Sequence, residues 1–191
     1  MDDPVALFNR WYASAARAKL PQHDGMALAT ASASGKPDVR YVLLKSVDER
    51  GFVFYTNLKS PKGRALKINA RAALAFYWHK PGRQVRVRGR VRPVSDAEAD
   101  AYFASRPRLS QLGAWASQQS RPVASRAVLV ARVAKLTLAA GRRPIPRPDH
   151  WSGFRLRPSE IEFWQRGAGR LHLRWLYSRS GSRWRRILLQ P

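Results

Sequence analysis

The chain has 191 residues, a length that suits one domain whose core can stand without covalent staples. It contains no cysteine, which excludes disulfides, thiolate metal sites and cysteine nucleophiles, and its four histidines (His23, His79, His150, His172) form no HxH or HExxH pair, which argues against a metal site. The net charge of +24 favours anionic ligands, yet residues 101–191 hold 18 of the 36 Lys+Arg and only Asp149, Glu160 and Glu162 of the 12 acids, which argues against a mechanism needing two cooperating carboxylates.

In chain order, residues 4–19 read as an amphipathic helix, with Pro4 in its first turn and Val5, Phe8, Trp11, Tyr12 and Ala15 at helical spacing. Residues 26–32 and 39–46 read as a hairpin around 34–37, and residues 51–57 as a third strand. Ser60 and Pro61 open a short helix to about residue 70; residues 72–79 and 84–94 follow as strands four and five. Five strands and one helix in the first 95 residues predict a closed or nearly closed antiparallel barrel. In the fifth strand Val85, Val87 and Val91 alternate with Arg86, Arg88, Arg90 and Arg92, which predicts a buried face and a solvated arginine face.

Helices are predicted over 96–105, where Ser95 and Glu98 make a capping box, over 108–116, and over 125–139. Residues 144–148 (PIPRP) are a short rigid connection. Strands near 153–156, 160–165, 171–179 and 183–189 close the chain. No apolar run approaches the roughly 20 residues needed to span a bilayer, and the N-terminus, Met-Asp-Asp-Pro, is acidic and not signal-like, so the expectation is a soluble cytoplasmic protein without a membrane partner. Arginine recurs in every segment and forms no single patch; phosphate-bearing small ligands fit this charge as well as nucleic acid does.

Residues 161–177 gather Trp164, Arg170, His172 and Arg174. The last three share one parity, so an extended strand would point two guanidiniums and an imidazole to one face, a site for a planar anion. Other polar residues stand where a barrel does not need them: Arg40 and Lys45 around an apolar run, Tyr55 and Thr56 at a strand end, Lys62 in a helix's first turn, Gln84 opening strand five, and Gln118, Gln119 and Ser120 after Trp115. Arg40 and Lys45 have opposite parity, so either their strand bulges or they serve opposite sides of it.

Taken together, residues 40–45 (RYVLLK), 51–57 (GFVFYTN), 83–90 (RQVRVRGR), 102–107 (YFASRP), 110–115 (SQLGAW), 162–165 (EFWQ) and 170–172 (RLH) make the chain resemble the pyridoxamine 5'-phosphate oxidase family over nearly its whole length. The resemblance implies a mainly β, α+β fold, an FMN-binding split barrel with peripheral helices over residues 1–191, and a homodimer whose C-terminal dimerisation segment is 150–191. It implies FMN as cofactor. Arg40 and Lys62 would hold its phosphate, Val42, Leu43, Tyr55, Thr56 and Gln84 would line the flavin, and Gln119, Ser120, Trp164 and Arg174 would complete the site, some of them from the second subunit. Lys45, which falls among cofactor and substrate ligands alike, would join Tyr102, Arg106 and Ser110 on the substrate phosphate, with Arg170 and His172 as the catalytic pair placing the pyridine ring. The implied reaction oxidises pyridoxamine or pyridoxine 5'-phosphate with O2.

Three departures accompany the resemblance. The family usually carries an N-terminal Arg and Tyr upstream of where this chain begins; Pro61 stands where Arg is common; Leu173 stands where an Asp follows the His. Two other readings remain: a flavin oxidase of the same fold acting on another planar anion, as in phenazine biosynthesis, and a non-catalytic basic barrel binding nucleic acid through the arginine face and the seven tryptophans.

Overall fold

A computed structural model describes residues 3–191; Met1 and Asp2, the start of the acidic N-terminus, lie outside the described residues. The first helix, α1 (Pro4–Arg17), begins where Asp3 accepts a hydrogen bond from the Val5 N–H at 2.9 Å and Pro4 takes the first position. Its apolar stripe is buried at Val5, Phe8, Trp11 and Ala15.

The strands are β1 (Gly25–Ala31), β2 (Pro37–Leu43), β3 (Ser46–Asp48), β4 (Gly51–Asn57), β5 (Arg71–Trp78), β6 (Arg83–Pro93), β7 (Trp151–Gln165), β8 (Leu173–Ser180) and β9 (Arg183–Leu189). They form one sheet in the order β2-β1-β5-β6-β7-β4-β3, with β8 added to β7 and β9 to β8. The pairings β1–β2, β1–β5, β3–β4, β5–β6, β7–β8 and β8–β9 are all antiparallel. The remaining helices are α2 (Pro61–Ile68), α3 (Asp96–Ser105), α4 (Arg108–Ala116) and α5 (Arg126–Ala140).

Contacts divide the chain into two compact units: one of residues up to 54 with 65–92 and 155–191, the other of residues 55–64 and 93–154. In the first unit Phe8 meets Phe52 edge-on at 4.8 Å and Phe76 at 5.0 Å, and Trp11 meets Phe163 at 5.2 Å, so α1 caps a core that also buries Met26, Leu28, Leu74, Val85, Val87 and Ile161. Truncating Phe8 to alanine there would cost about 3–5 kcal/mol. The second unit has a smaller core in which Phe103 meets Trp151 edge-on at 5.0 Å beside Ala99, Leu112 and Ala116.

The alternating burial of β6 is as expected: Val85, Val87 and Val91 are buried, and Arg86, Arg88, Arg90 and Arg92 are exposed. Three expectations are corrected. The first 95 residues do not complete the barrel, because β7, from the far half of the chain, is inserted between β6 and β4. The two strands expected over 153–156 and 160–165 are one 15-residue strand, which passes through Pro158; beside that proline the Ser159 hydroxyl donates to the Arg88 carbonyl at 3.1 Å. Finally, β2 stops at Leu43, and the chain breaks strand before Lys45, whose N–H donates to Val53 O at 2.9 Å. The opposite parity of Arg40 and Lys45 therefore needs neither a bulge nor a two-sided strand.

Candidate functional site

The candidate residues fall into two sets, one in each unit. In the second unit, Lys62 stands in the first turn of α2, whose start is fixed by Ser60: its hydroxyl accepts from the Gly63 N–H at 3.2 Å. Gly63 is required here, because a Cβ would lie 2.5 Å from the Leu58 carbonyl oxygen and 2.7 Å from that of Asn57. The Lys62 ammonium donates to Oε1 of Gln119 at 3.0 Å, and the buried Thr56 hydroxyl reaches the same oxygen at 3.4 Å. Ser120, next in the chain, holds a left-handed backbone (φ +67°), a conformation non-glycine residues rarely adopt.

The same unit builds a second cluster at the α3–α4 corner. Tyr55 stacks on Tyr102 at 4.1 Å and on Trp151 at 5.2 Å, and the Arg106 guanidinium lies 4.8 Å over the Trp151 ring. Burial lowers the Arg106 guanidinium from its ordinary value, with Tyr102 opposing, and its Nη1 is buried without a hydrogen-bond partner. A buried cation with an unused donor suits a phosphate oxygen. Half-buried Ser110 lies in the first turn of α4. Sequence reasoning missed Gln111, whose amide nitrogen donates to the carbonyls of Phe103 (3.0 Å), Ala104 (3.0 Å) and Arg106 (3.2 Å), closing the end of α3. A glutamine at a buried position of an otherwise apolar helix face was the available signal.

In the first unit, Arg40 pairs with Leu28 across β1–β2 and donates through Nη1 to Leu28 O (3.0 Å) and to the Thr30 hydroxyl (2.9 Å), with Nη2 on Asp38. Lys45 forms an ion pair with Asp24 at 3.2 Å. Val42 is half-buried and Leu43 exposed at the end of β2; Gln84 is half-buried in β6 opposite Tyr77.

The stretch 161–177 is not one extended face. Residues 168–170 form a 3-10 turn in which Gly169 and Arg170 are left-handed (φ +57° and +62°), and β8 starts only at Leu173. The expected common face of Arg170, His172 and Arg174 is therefore wrong: parity holds only along a strand, and two of the three precede it. The turn brings together a different set. The His172 ring lies 4.6 Å from that of Trp164, Nδ1 of His172 accepts from the Gly167 N–H at 3.2 Å, and Trp164 is the β7–β8 register partner of Arg174. Arg170 is exposed, with no hydrogen bond from its guanidinium among the described residues.

Beneath Arg174 lies a carboxylate that sequence reasoning set aside. Glu162, with its side chain 4% exposed, accepts from Arg174 Nε at 2.9 Å and is also bonded by Arg86. Burial alone would raise its carboxyl, but the hydrogen bonds and charges of the two arginines hold it below the usual carboxylate range. Arg88 pairs with Glu160 at 2.9 Å, so half of the β6 arginine face is committed to β7.

Against known proteins, the family model described as pyridoxamine 5'-phosphate oxidase matches residues 13–139, and that of the pyridoxine 5'-phosphate oxidase C-terminal dimerisation region matches residues 151–191. The chain belongs to the pyridoxamine 5'-phosphate oxidase family. Curated relatives named pyridoxine/pyridoxamine 5'-phosphate oxidase include one from Rubrobacter xylanophilus, 54% identical over 99% of this chain and 87% of its own length, and one from Maricaulis maris, 55% identical over 100% and 86%. Among solved structures, PhzG from Burkholderia lata in complex with tetrahydrophenazine-1-carboxylic acid is similar with a TM-score of 0.94 at 36% identity, covering 100% of this chain and 94% of that one. A pyridoxamine 5'-phosphate oxidase-related, FMN-binding protein from Nostoc punctiforme shares the fold with a TM-score of 0.80 at 17% identity, covering the whole of both chains. The split-barrel expectation thus holds, and the matched dimerisation region supports a homodimer. Among the described residues no helix is long and apolar enough to cross a membrane.

Proposed function

We propose that this chain is an FMN-dependent oxidase that converts pyridoxamine 5'-phosphate, and pyridoxine 5'-phosphate, to pyridoxal 5'-phosphate with O2 as the final acceptor, working as a homodimer of one split-barrel domain per chain with residues 150–191 as its dimerisation segment. The observation that carries the substrate class is the buried, unpartnered Nη1 of Arg106 beside Tyr102 and Trp151, a socket for a phosphate, in a chain more than half identical to relatives of that name. When bound, FMN supplies the hydride acceptor and its reoxidation by oxygen.

The chain's own residues bind and orient. Arg40 and Lys62 hold the cofactor phosphate; Arg40 spends only part of its five-donor fork on Leu28, Thr30 and Asp38. Val42, Leu43, Tyr55, Thr56 and Gln84 line the flavin, and Gln119, Ser120, Trp164 and Arg174 complete its site, some from the partner subunit. Tyr102, Arg106, Ser110 and Lys45 take the substrate phosphate, Lys45 by exchanging Asp24 for it. Because Nδ1 of His172 is occupied as an acceptor, its neutral ring carries the proton on Nε2, where it donates to the substrate while Arg170 supplies a cation. Orientation and fixed charge are the protein's contribution, and neither a metal nor a second carboxylate is needed.

The test is direct. The purified protein should be yellow and should convert pyridoxamine 5'-phosphate to the aldehyde with uptake of oxygen. A flavin-loaded protein inert toward both phosphorylated substrates but active on a planar carboxylate would overturn the proposal in favour of a phenazine-type oxidase, the reading that the PhzG likeness favours.

A further inference from the structure

Five arginines line one hollow of the first unit that contains none of the candidate site residues. It measures about 290 Å³ and is lined by Arg50, Arg92, Arg155, Arg157 and Arg179, with Glu49 the one acid among them. Arg155 and Arg157 lie two apart in β7 and so share a face, Arg92 comes from the end of the neighbouring strand β6, Arg179 from β8, and Arg50 from the turn between β3 and β4.

Folding does not ask for this arrangement, since like charges around one hollow repel. Asp48 relieves part of it, accepting from Arg50 and Arg155 at 2.7 Å each. Arg179 spends its Nε on the Gly181 carbonyl at 3.3 Å. The guanidiniums of Arg92 and Arg157 make no hydrogen bond or ion pair among the described residues. The forks of Arg92 and Arg157 are thus the ones left for a ligand to engage.

We propose that this hollow is a binding site for a compact phosphate chain, either free diphosphate or the phosphate tail of a nucleotide. Guanidinium forks match phosphate oxygens in pairs, which a scatter of lysines would not. Two linked phosphates offer oxygens to the forks of Arg92 on β6 and Arg157 on β7 together, where a single phosphate would engage one of them fully. The volume stands at the lower edge of the roughly 300–1,000 Å³ of small-molecule sites, so phosphates fit inside while a nucleoside stays outside. The proposal does not rest on the oxidase reading, because its readout is binding.

The experiment is calorimetric titration of the flavin-loaded protein with inorganic diphosphate, ADP and orthophosphate near physiological salt. The variants are Arg92→Gln/Arg157→Gln and a charge-matched control, Arg10→Gln/Arg132→Gln, at exposed positions outside the hollow. Diphosphate should bind once per chain and more tightly than orthophosphate. The first variant should bind it about tenfold more weakly or worse, as expected for two lost charge-assisted donors, while the control and the flavin content of both stay unchanged. ADP binding at least as tightly as diphosphate identifies a nucleotide tail as the source; weaker ADP identifies the free anion. Absence of saturable binding, or equal loss in both variants, overturns the site. So does duplex DNA that displaces diphosphate and is weakened as much by the control as by the first variant, since that describes a diffuse nucleic-acid surface.

Discussion

The backbone N–H of Gly167 donates to Nδ1 of His172 at 3.2 Å, so a glycine five residues upstream selects the tautomer of the imidazole. Gly167 can do this because its Cα is packed against the Leu171 carbonyl, where a Cβ would overlap the oxygen. Gly167→Ala must therefore open the turn and release the ring. The expected outcome is a fall of about 10²-fold in turnover, typical of an ångström-scale misplacement, with flavin content retained. Oxygen uptake and flavin absorbance on one preparation check it; unaltered turnover would show that this bond does not set the imidazole.

Glu162 should leave an acid signature. Its folded-state carboxyl sits below its ordinary value because Arg174 and Arg86 outweigh its burial. An unfolded glutamate takes up its proton near about 4.3, the folded one only at lower pH. Its contribution is thus complete above that ordinary value and drains away as pH falls through the depressed folded one. Glu162→Gln should be about 1–3 kcal/mol less stable at neutral pH and should show a flatter decline of Tm below pH 4.3 than the parent, measured by thermal unfolding across an acid series.

Lys62 and Arg170 should separate binding from turnover. Lys62 is anchored by Gln119 in a helix's first turn, whereas Arg170 is exposed on a left-handed backbone. Lys62→Ala should weaken FMN retention about tenfold or more, as expected for a lost charge-assisted contact. Arg170→Ala should keep FMN and lose turnover. Equal loss of flavin in both, read by dialysis and absorbance, would contradict the division.

What the sequence disclosed follows the range of the forces involved. Helices α3 and α4 have the bounds expected for them, and at α3 the capping box is the reason, because Ser95 accepts from the Glu98 N–H at 3.2 Å: a local signal for local structure. The alternation of β6 was legible for the same reason. The insertion of β7 between β6 and β4, its passage through Pro158, and the burial of Glu162 between Arg86 and Arg174 depend on partners tens of residues away, to which periodicity is blind. The turn at 168–170 falls between the strands expected over 160–165 and 171–179, where Gly169 permits one left-handed step but nothing local marks the second, at Arg170. Gln111 shows in the sequence only as a polar residue on an apolar helix face; that it fastens α3 depends on three backbone carbonyls, which no side-chain pattern marks.

Gln111→Leu tests that fastener. It leaves three carbonyls at the end of α3 short of a donor, a loss of about 1–3 kcal/mol, and frees the corner that holds Arg106. KM for pyridoxamine 5'-phosphate should rise several-fold, with kcat less affected. Arg106→Ala should raise KM further with little loss of stability, and a comparison of the two by steady-state kinetics and thermal unfolding separates scaffold from ligand. Stability lost in Arg106→Ala to the same degree would assign the arginine to the scaffold.

The seat of α2 has a consequence for redesign. Gly63 rests on the Asn57 and Leu58 carbonyls and admits no side chain, while Pro61, two positions earlier, is exposed. The corner thus has one locked position and one open one. An arginine can be written in at 61 in a single step without rebuilding the helix start, whereas a search that randomises the whole corner will spend most of its variants on the position that cannot change.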